Sequence, residues 1–209
     1  LFFGNLPTAT LQNWLWNGSV QWYDFTLYLA YMMHFVFPLV LAVVIWKKFP
    51  KKYWNYMATY VVLMFSGFLT YLLFPAAPPW MASDLGYIEP ISRVSSHVWF
   101  ALGIQDFPSL YNEIAPNPVA AVPSLHAAFS VLFAVYVIKL FKSKWRFMAW
   151  LYPFMIIFGS VYMGEHYIID AILGAFYALA AYRFTPFITR KLKIRQKFKK
   201  LDFGKAKRA

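Results

Sequence analysis

The sequence contains no cysteine and few charged residues. Without cysteine the chain has no disulfide framework, no thiolate nucleophile and no thiolate metal site. Only 13% of its residues are charged and 61% are hydrophobic, whereas soluble globular chains are about 25% charged. This composition excludes an ordinary soluble domain. The chain starts at Leu1 and not at methionine, which is compatible with a leading segment ahead of it.

Five apolar runs are close to the length that crosses a bilayer, about 20 residues. They cover residues 25–46, 53–74, 121–141, 147–163 and 167–188. We therefore predict an all-α, polytopic membrane helix bundle with five spans, built by a single membrane-embedded domain over residues 1–188. Within it we expect an interfacial segment at residues 1–22 and a long external loop with short interfacial helices at residues 75–120.

The net charge of +12 could suggest nucleic acid, but the positions of the basic residues favour a membrane surface. Ten of the 20 Lys and Arg residues lie in residues 190–208, and eight lie near the turns at residues 47–52 and 139–146. Lys and Arg in short loops stay on the cytoplasmic side. We therefore predict a basic cytoplasmic tail at residues 189–209 that binds anionic lipids, and no nucleic-acid partner. Arg93 is the one basic residue expected on the opposite side.

Two histidines lie at the ends of apolar runs on that opposite side. His126 follows Pro123-Ser124-Leu125 at the start of the third run, and a helix N-terminus favours an anion such as phosphate. His166 and Asp170 are four residues apart at the start of the fifth run, so they share a helix face. Asp170 can then bind one ring nitrogen of His166 and leave the other available as a nucleophile or base.

A zinc site made of His126, His166 and Asp170 is an alternative on ligand count. We favour the phosphate site because a helix that begins with Pro-Ser suits an anion. Ionisable residues in apolar runs also include His34, in the first run. A lone intramembrane histidine more often forms hydrogen bonds within the bundle than reacts, so we treat His34 as a supporting candidate.

The histidine motifs resemble those of a known superfamily. Pro123-Ser124-Leu125-His126 and His166-Tyr167-Ile168-Ile169-Asp170 are similar to the second and third signatures of the type-2 phosphatidic acid phosphatases. Ala76-Ala77-Pro78-Pro79-Trp80 and His34-Phe35-x-x-Pro38 resemble the inositol phosphorylceramide synthase branch. The resemblance covers roughly residues 22–188. It implies a six-span helical membrane enzyme that needs no cofactor or metal.

Two phosphate-binding cations of that superfamily have no counterpart in this sequence. The first signature, a Lys with an Arg-Pro pair, is missing, and Gly159-Ser160 stand where the third signature opens with Ser-Arg. Arg93 and His97 are the candidate substitutes.

The resemblance also implies a role for each residue. His166 would attack phosphorus and form a phosphohistidine, Asp170 would support its ring, and His126 would act as general acid and then base. The candidate substrate-binding residues are Ser124, Arg93, His97, Pro79, Trp80 and Tyr167. The active site would face the non-cytoplasmic side of the membrane.

The implied activity is a lipid phosphotransferase that moves a phosphorylated head group, such as phosphoinositol, from a membrane phospholipid to a lipid hydroxyl. A lipid phosphatase or pyrophosphatase that uses water as acceptor is the first alternative. A catalytically silent membrane scaffold or a lipid transporter is an alternative from another class.

Overall fold

The chain folds into α-helices joined by short connections and one long loop. A computed structural model describes residues 6–105 and 117–191. Its α-helices are α1 (Pro7–Leu15), α2 (Trp22–Met32), α3 (Phe37–Lys48), α4 (Pro50–Leu73), α5 (Pro79–Asp84), α6 (Val94–Ala101), α7 (Leu125–Leu140), α8 (Leu151–Tyr162) and α9 (Ile168–Lys191). A 3-10 helix covers Lys144–Trp150. The described ranges contain no β-strand, which confirms the predicted all-α class.

All five predicted apolar runs form helices, but these differ in length. By length and composition, α4 and the first 20 residues of α9 can each cross a membrane. The pair α2 and α3 adds a third span if it is counted as one broken helix. With 16 residues, α7 extends about 24 Å, less than the apolar thickness of about 30 Å. The chain is thus a membrane helix bundle, while the number of five spans stays a prediction.

The first run, predicted as one helix, is broken between α2 and α3 with a bend of 49°. The break follows from Pro38, the second residue of α3. Proline has no N–H to donate to the carbonyl of residue 34, and its ring clashes with that carbonyl. The carbonyl of Pro38 accepts a hydrogen bond from the Tyr56 hydroxyl at 2.8 Å, which fastens the break to α4.

The fourth run also departs from a single helix. It begins with the 3-10 helix, where the Ser143 hydroxyl accepts a hydrogen bond from the amide of Trp145 at 3.2 Å. The α-helix α8 starts only at Leu151, so that Pro153 falls in its first turn. A proline is tolerated there because the first N–H groups of a helix have no partner within the helix.

The main core lies where α7 packs against α4 and α9. Two glycines allow this close approach. A Cβ atom at Gly174 of α9 would lie 2.2 Å from the carbonyl oxygen of Ser124, and a Cβ at Gly67 of α4 would lie 2.6 Å from Leu125 Cδ2. Small residues at such positions let helix backbones meet in a membrane.

The N-terminal segment packs against the loop and α8. The side chain of Gln12 in α1 donates to the carbonyls of Ser92 and Tyr162, at 2.7 and 2.8 Å, and accepts from the amide of Ser92 at 2.9 Å. Trp14 and Trp22 remain 76% and 77% exposed. Exposed tryptophans suit the interfacial position predicted for residues 1–22.

The loop at residues 75–120 contains the short helices α5 and α6, as predicted. Ala76 and Ala120 form an isolated parallel bridge that closes the two ends of the loop. Residues 106–116 of the loop and residues 192–209 of the predicted basic tail lie outside the described residues.

Replacing Gly174 by alanine should destabilise the protein. The new Cβ would meet the Ser124 carbonyl, a backbone atom that moves only with the start of α7, and overpacking of this kind costs about 1–3 kcal/mol. The matched control is Gly67→Ala, whose nearest neighbours are side-chain atoms of Leu125 and not backbone atoms. Thermal unfolding in detergent should show a clearly lower midpoint for Gly174→Ala than for Gly67→Ala. Equal midpoints would contradict the close backbone contact.

Candidate active site

The structure brings together the three residues that the sequence singles out. His126 lies in the first turn of α7, and His166 lies just before α9. Nδ1 of His126 is 3.1 Å from Nε2 of His166, and Nδ1 of His166 is 3.5 Å from Oδ2 of Asp170. The two histidines therefore touch although they start different helices.

A tight turn places His166. Gly164 has a φ of +80°, a conformation that glycine adopts without strain. A Cβ there would also come within 3.1 Å of the carbonyl oxygen of Ser92. After this turn the amides of Glu165 and His166 both donate to the carbonyl of Ser160, at 3.0 and 3.2 Å. His166 is thereby fixed at the end of α8 with only 5% of its surface exposed.

The hydrogen bonds of His166 assign its tautomer. Nδ1 lies 3.1 Å from the carbonyl oxygen of Ala121 and 3.5 Å from the Asp170 carboxylate. Both oxygens only accept hydrogen bonds when the carboxylate is ionised, so Nδ1 carries the hydrogen. The other nitrogen, Nε2, then directs a lone pair towards His126. The sequence predicts Asp170 as the partner of His166, but it gives no sign that the Ala121 carbonyl lies closer.

Asp170 is fully buried and caps the helix on which it lies. Its Oδ2 accepts from the backbone amide of Tyr167 at 2.8 Å, which is half of a capping box. Its backbone carbonyl accepts from the amide of Ser124 at 2.9 Å. Among the described residues its Oδ1 has no hydrogen-bond partner. Tyr167 thus contributes to the site through its backbone.

Ser124 is the N-cap of α7. Its hydroxyl accepts from the amide of Ala127 at 3.3 Å, and the residue is fully buried. The prediction that the helix begins with Pro-Ser is wrong: Ser124 is the N-cap and Leu125 is the first helical residue. The carbonyl of Pro123 is bound by the Tyr71 hydroxyl at 2.8 Å. The phosphate-binding role of Ser124 stays a prediction.

Arg93 belongs to an ion-pair cluster next to the site. Its Nε and Nη2 donate to the two carboxylate oxygens of Glu165 at 2.9 and 3.3 Å, and Ser95 donates to the same carboxylate. The guanidinium lies 4.1 Å from the centre of the Trp80 ring, a cation–π contact. Because Glu165 precedes His166, the cluster joins the external loop to the candidate nucleophile.

Pro79 and Trp80 begin helix α5, which is fastened to the turn before His166. The amide of Trp80 donates to the carbonyl of Gly164 at 3.1 Å, and Pro79 is buried. The Nε1 atom of Trp80 is buried without a hydrogen-bond partner in the described part of the chain. These two residues therefore anchor the loop beside the site.

His97 is not brought to the histidine pair by any contact in the described ranges. Its ring packs on Trp16 of the N-terminal segment, with 5.0 Å between ring centres, and the residue is exposed. The proposal that His97 binds substrate has no support from its position.

Two residues in the first apolar run adjoin His126. The ring of Tyr31 stacks on the His126 ring, and the ring of His34 meets it edge-on. The motif with Pro38 singles out His34 in the sequence, but only the folded chain shows which residue it contacts. Nothing in the sequence points to Tyr31.

A metal site and a second cavity are the other places to consider in the described ranges. No group of three His, Cys, Asp or Glu side chains there could bind a metal ion, so the zinc alternative has no ligand set in that part of the chain. A cavity of about 320 Å³ lies between α4 and α9, and its polar lining consists of Ser66, Tyr177 and Thr185. No histidine or carboxylate is among the residues that line it.

Comparisons with known proteins identify the family of the chain. The PAP2 superfamily model matches residues 5–184. A phosphoinositol dihydroceramide synthase of Bacteroides thetaiotaomicron is 36% identical over 155 residues, which cover 70% of this chain and 50% of that protein. An inositol phosphorylceramide synthase of Candida albicans is 29% identical over 180 residues, covering 78% of this chain and 36% of the relative.

A third relative is the inositol phosphorylceramide synthase catalytic subunit of Schizosaccharomyces pombe. It is 26% identical over 160 residues, which cover 73% of this chain and 37% of that subunit. The chain thus spans half the length of its curated relatives or less. No solved structure matches it significantly. The family model, in contrast, covers most of the chain, including the Ser124–His126 and His166–Asp170 segments. The chain therefore belongs to the PAP2 superfamily.

Proposed function

We propose that this protein transfers a phosphoinositol head group from a phospholipid to the hydroxyl of a ceramide-type lipid. The observation that supports the proposal most is the contact between His126 and His166. The Nδ1–H of His166 points away from this contact, towards the Ala121 carbonyl and the Asp170 carboxylate. The lipid classes come from the names of the relatives, two inositol phosphorylceramide synthases and a phosphoinositol dihydroceramide synthase.

In the first step, Nε2 of His166 attacks phosphorus. A bond forms between this nitrogen and phosphorus while the bond from phosphorus to the diacylglycerol oxygen breaks. His126, starting as imidazolium, gives its Nδ1 proton to that oxygen and becomes neutral. Asp170 and the Ala121 carbonyl stabilise the positive charge that develops on His166 through its Nδ1–H.

In the second step, the acceptor lipid takes the head group. Its hydroxyl oxygen attacks phosphorus, and its proton passes to Nδ1 of His126. The nitrogen–phosphorus bond breaks, and the electron pair returns to Nε2 of His166. Each histidine thereby regains its starting protonation state, and no atom changes its oxidation state in the cycle.

Binding of the phosphoryl group requires local movement. In-line displacement places phosphorus between the nucleophile and the departing oxygen, whereas Nε2 of His166 and Nδ1 of His126 are only 3.1 Å apart. The rings must therefore separate when substrate binds. The free amides at the start of α7 would bind the phosphoryl oxygens. Arg93 can assist if it shares its charge between the phosphate and Glu165.

The transferase activity can be tested with phosphatidylinositol that carries label in the inositol. In vesicles that contain a ceramide-type acceptor, the wild-type protein should move the label to a new phospholipid. Water-soluble label without a new phospholipid would show that water is the acceptor, and the chain would then be a hydrolase. No turnover at all by the folded protein would favour a scaffold or transporter.

Substitution of the histidines tests their roles in that assay. His166→Ala should abolish transfer because no other nucleophile replaces Nε2. His126→Ala should slow transfer by about 10²–10⁴-fold, the usual contribution of a general acid–base group. Thermal unfolding of each variant checks that the fold persists. Wild-type rates in folded His166→Ala would refute the nucleophile assignment.

We also propose that the site faces the non-cytoplasmic side and that the basic tail lies in the cytoplasm, on the basis of the Lys and Arg distribution. Because the chain has no cysteine, a single introduced thiol reports on topology. Tyr87→Cys in the loop, at a position 80% exposed, should react with an impermeant thiol reagent in intact cells. Ser143→Cys, exposed before the 3-10 helix, should react only after permeabilisation. The reverse pattern would overturn the orientation.

A further inference from the structure

Residues 31–36, from the end of α2 to the start of α3, carry side chains into the active site. Pro38 ends the helical pattern at this point, and residues 33–36 form tight turns in which each amide bonds to a carbonyl three residues earlier. His34 lies in these turns and is only 6% exposed. The break therefore contains a buried imidazole.

His126 is enclosed by this segment on two sides. The ring of Tyr31 lies parallel to the His126 ring, with centres 4.1 Å apart and an angle of 22°. The ring of His34 meets the same ring edge-on, with centres also 4.1 Å apart and an angle of 70°. The Tyr31 hydroxyl is 3.4 Å from Nδ1 of His126, the nitrogen that faces His166.

The two enclosing residues are themselves linked. Nδ1 of His34 lies 2.7 Å from the backbone carbonyl oxygen of Tyr31. A carbonyl only accepts, so this nitrogen carries the hydrogen and the orientation of the His34 ring is fixed. Tyr31 and His34 thus form one unit, and the bond between Tyr56 and the Pro38 carbonyl fastens this part of the chain to α4.

We propose that Tyr31 and His34 are positioning residues that hold the His126 imidazole in the direction required for proton transfer. This inference rests on the proposed function, in which His126 protonates the departing oxygen. The rotation of a histidine ring about its last torsion is broad and has no sharp preferred angle. Contacts must therefore set its direction, and a displacement of about 1 Å in an active site can cost about 10²-fold in rate.

The dependence of the rate on the leaving group tests this role. A diacylglycerol alkoxide needs a proton to leave, whereas a p-nitrophenolate leaves without one. We therefore compare two donors that carry the same inositol phosphate group but differ in these leaving groups. A loss that affects only the lipid donor reports on proton transfer, whereas a loss with both donors reports on binding or nucleophilic attack. The measurement is the ratio of kcat/KM for the lipid donor to kcat/KM for the p-nitrophenyl donor, made on the full chain in detergent.

His126→Ala defines the expected pattern. It should lose much of its kcat/KM with the lipid donor and little with the p-nitrophenyl donor. Tyr31→Ala and His34→Ala should also lower the ratio of the two kcat/KM values, by up to about 10²-fold. Tyr31→Phe keeps the stacked ring and should keep a ratio close to that of the wild type. His34→Asn keeps a donor for the Tyr31 carbonyl but loses the ring, so it should lower the ratio while preserving the fold.

The matched control is Tyr23→Phe, which removes a hydroxyl from the same helix. That hydroxyl donates to the carbonyl of Leu15 and lies outside the site, so the ratio should not change. If Tyr31→Ala and folded His34→Asn lose kcat/KM equally with both donors, the two residues have a purely structural role. That result would overturn the inference. A selective loss in Tyr23→Phe would overturn it as well.

Failure of the proposed function gives a different result. If the wild-type protein processes neither donor, or if His126→Ala shows no selective loss, then His126 is not the general acid and the positioning role falls with it. If the wild type and His126→Ala behave as expected while Tyr31→Ala and His34→Asn keep the wild-type ratio, the proposed function stands and only the positioning role is wrong.

Discussion

The amide of Ser124 donates a hydrogen bond to the carbonyl of Asp170, and this bond ties the starts of α7 and α9 together. The carbonyl of Ser124 lies so close to Gly174 that no larger residue fits there. This backbone contact brings the residues that follow Ser124 next to those that precede Ile168. The pairing of His126 with His166 depends on it, and so does the hydrogen bond from His166 to the Ala121 carbonyl.

Helix starts and turns inside an apolar bundle leave polar backbone groups that need partners, because hydrocarbon offers none. Here the groups around the site bind one another. Ser160 accepts two amides of the turn before α9, Tyr71 binds the carbonyl of Pro123, and Asp170 caps its own helix. The hydrogen bonds that satisfy these groups also hold the backbone segments that carry the two histidines. Stability of the bundle and geometry of the site are therefore supplied by the same contacts.

Much of this arrangement could be predicted from the sequence. Apolar runs mark the helices, and the spacing of His166 and Asp170 places both at one helix start. Other features required the folded chain. The Ala121 carbonyl is a backbone atom that no residue type encodes, and the contact of His34 with His126 joins segments far apart in the chain. Arg93 stands out as a lone external cation, yet its pairing with Glu165 is a tertiary contact.

In the proposed mechanism, His166 reacts through Nε2 because the Ala121 carbonyl and Asp170 occupy its Nδ1–H. The most direct measurement is to trap the covalent intermediate from labelled phosphatidylinositol and to identify the modified atom by mass spectrometry and phosphorus NMR at alkaline pH. The account predicts an inositolphosphoryl group on Nε2 of His166. A label on Nδ1 of His166, or on His126, would contradict it.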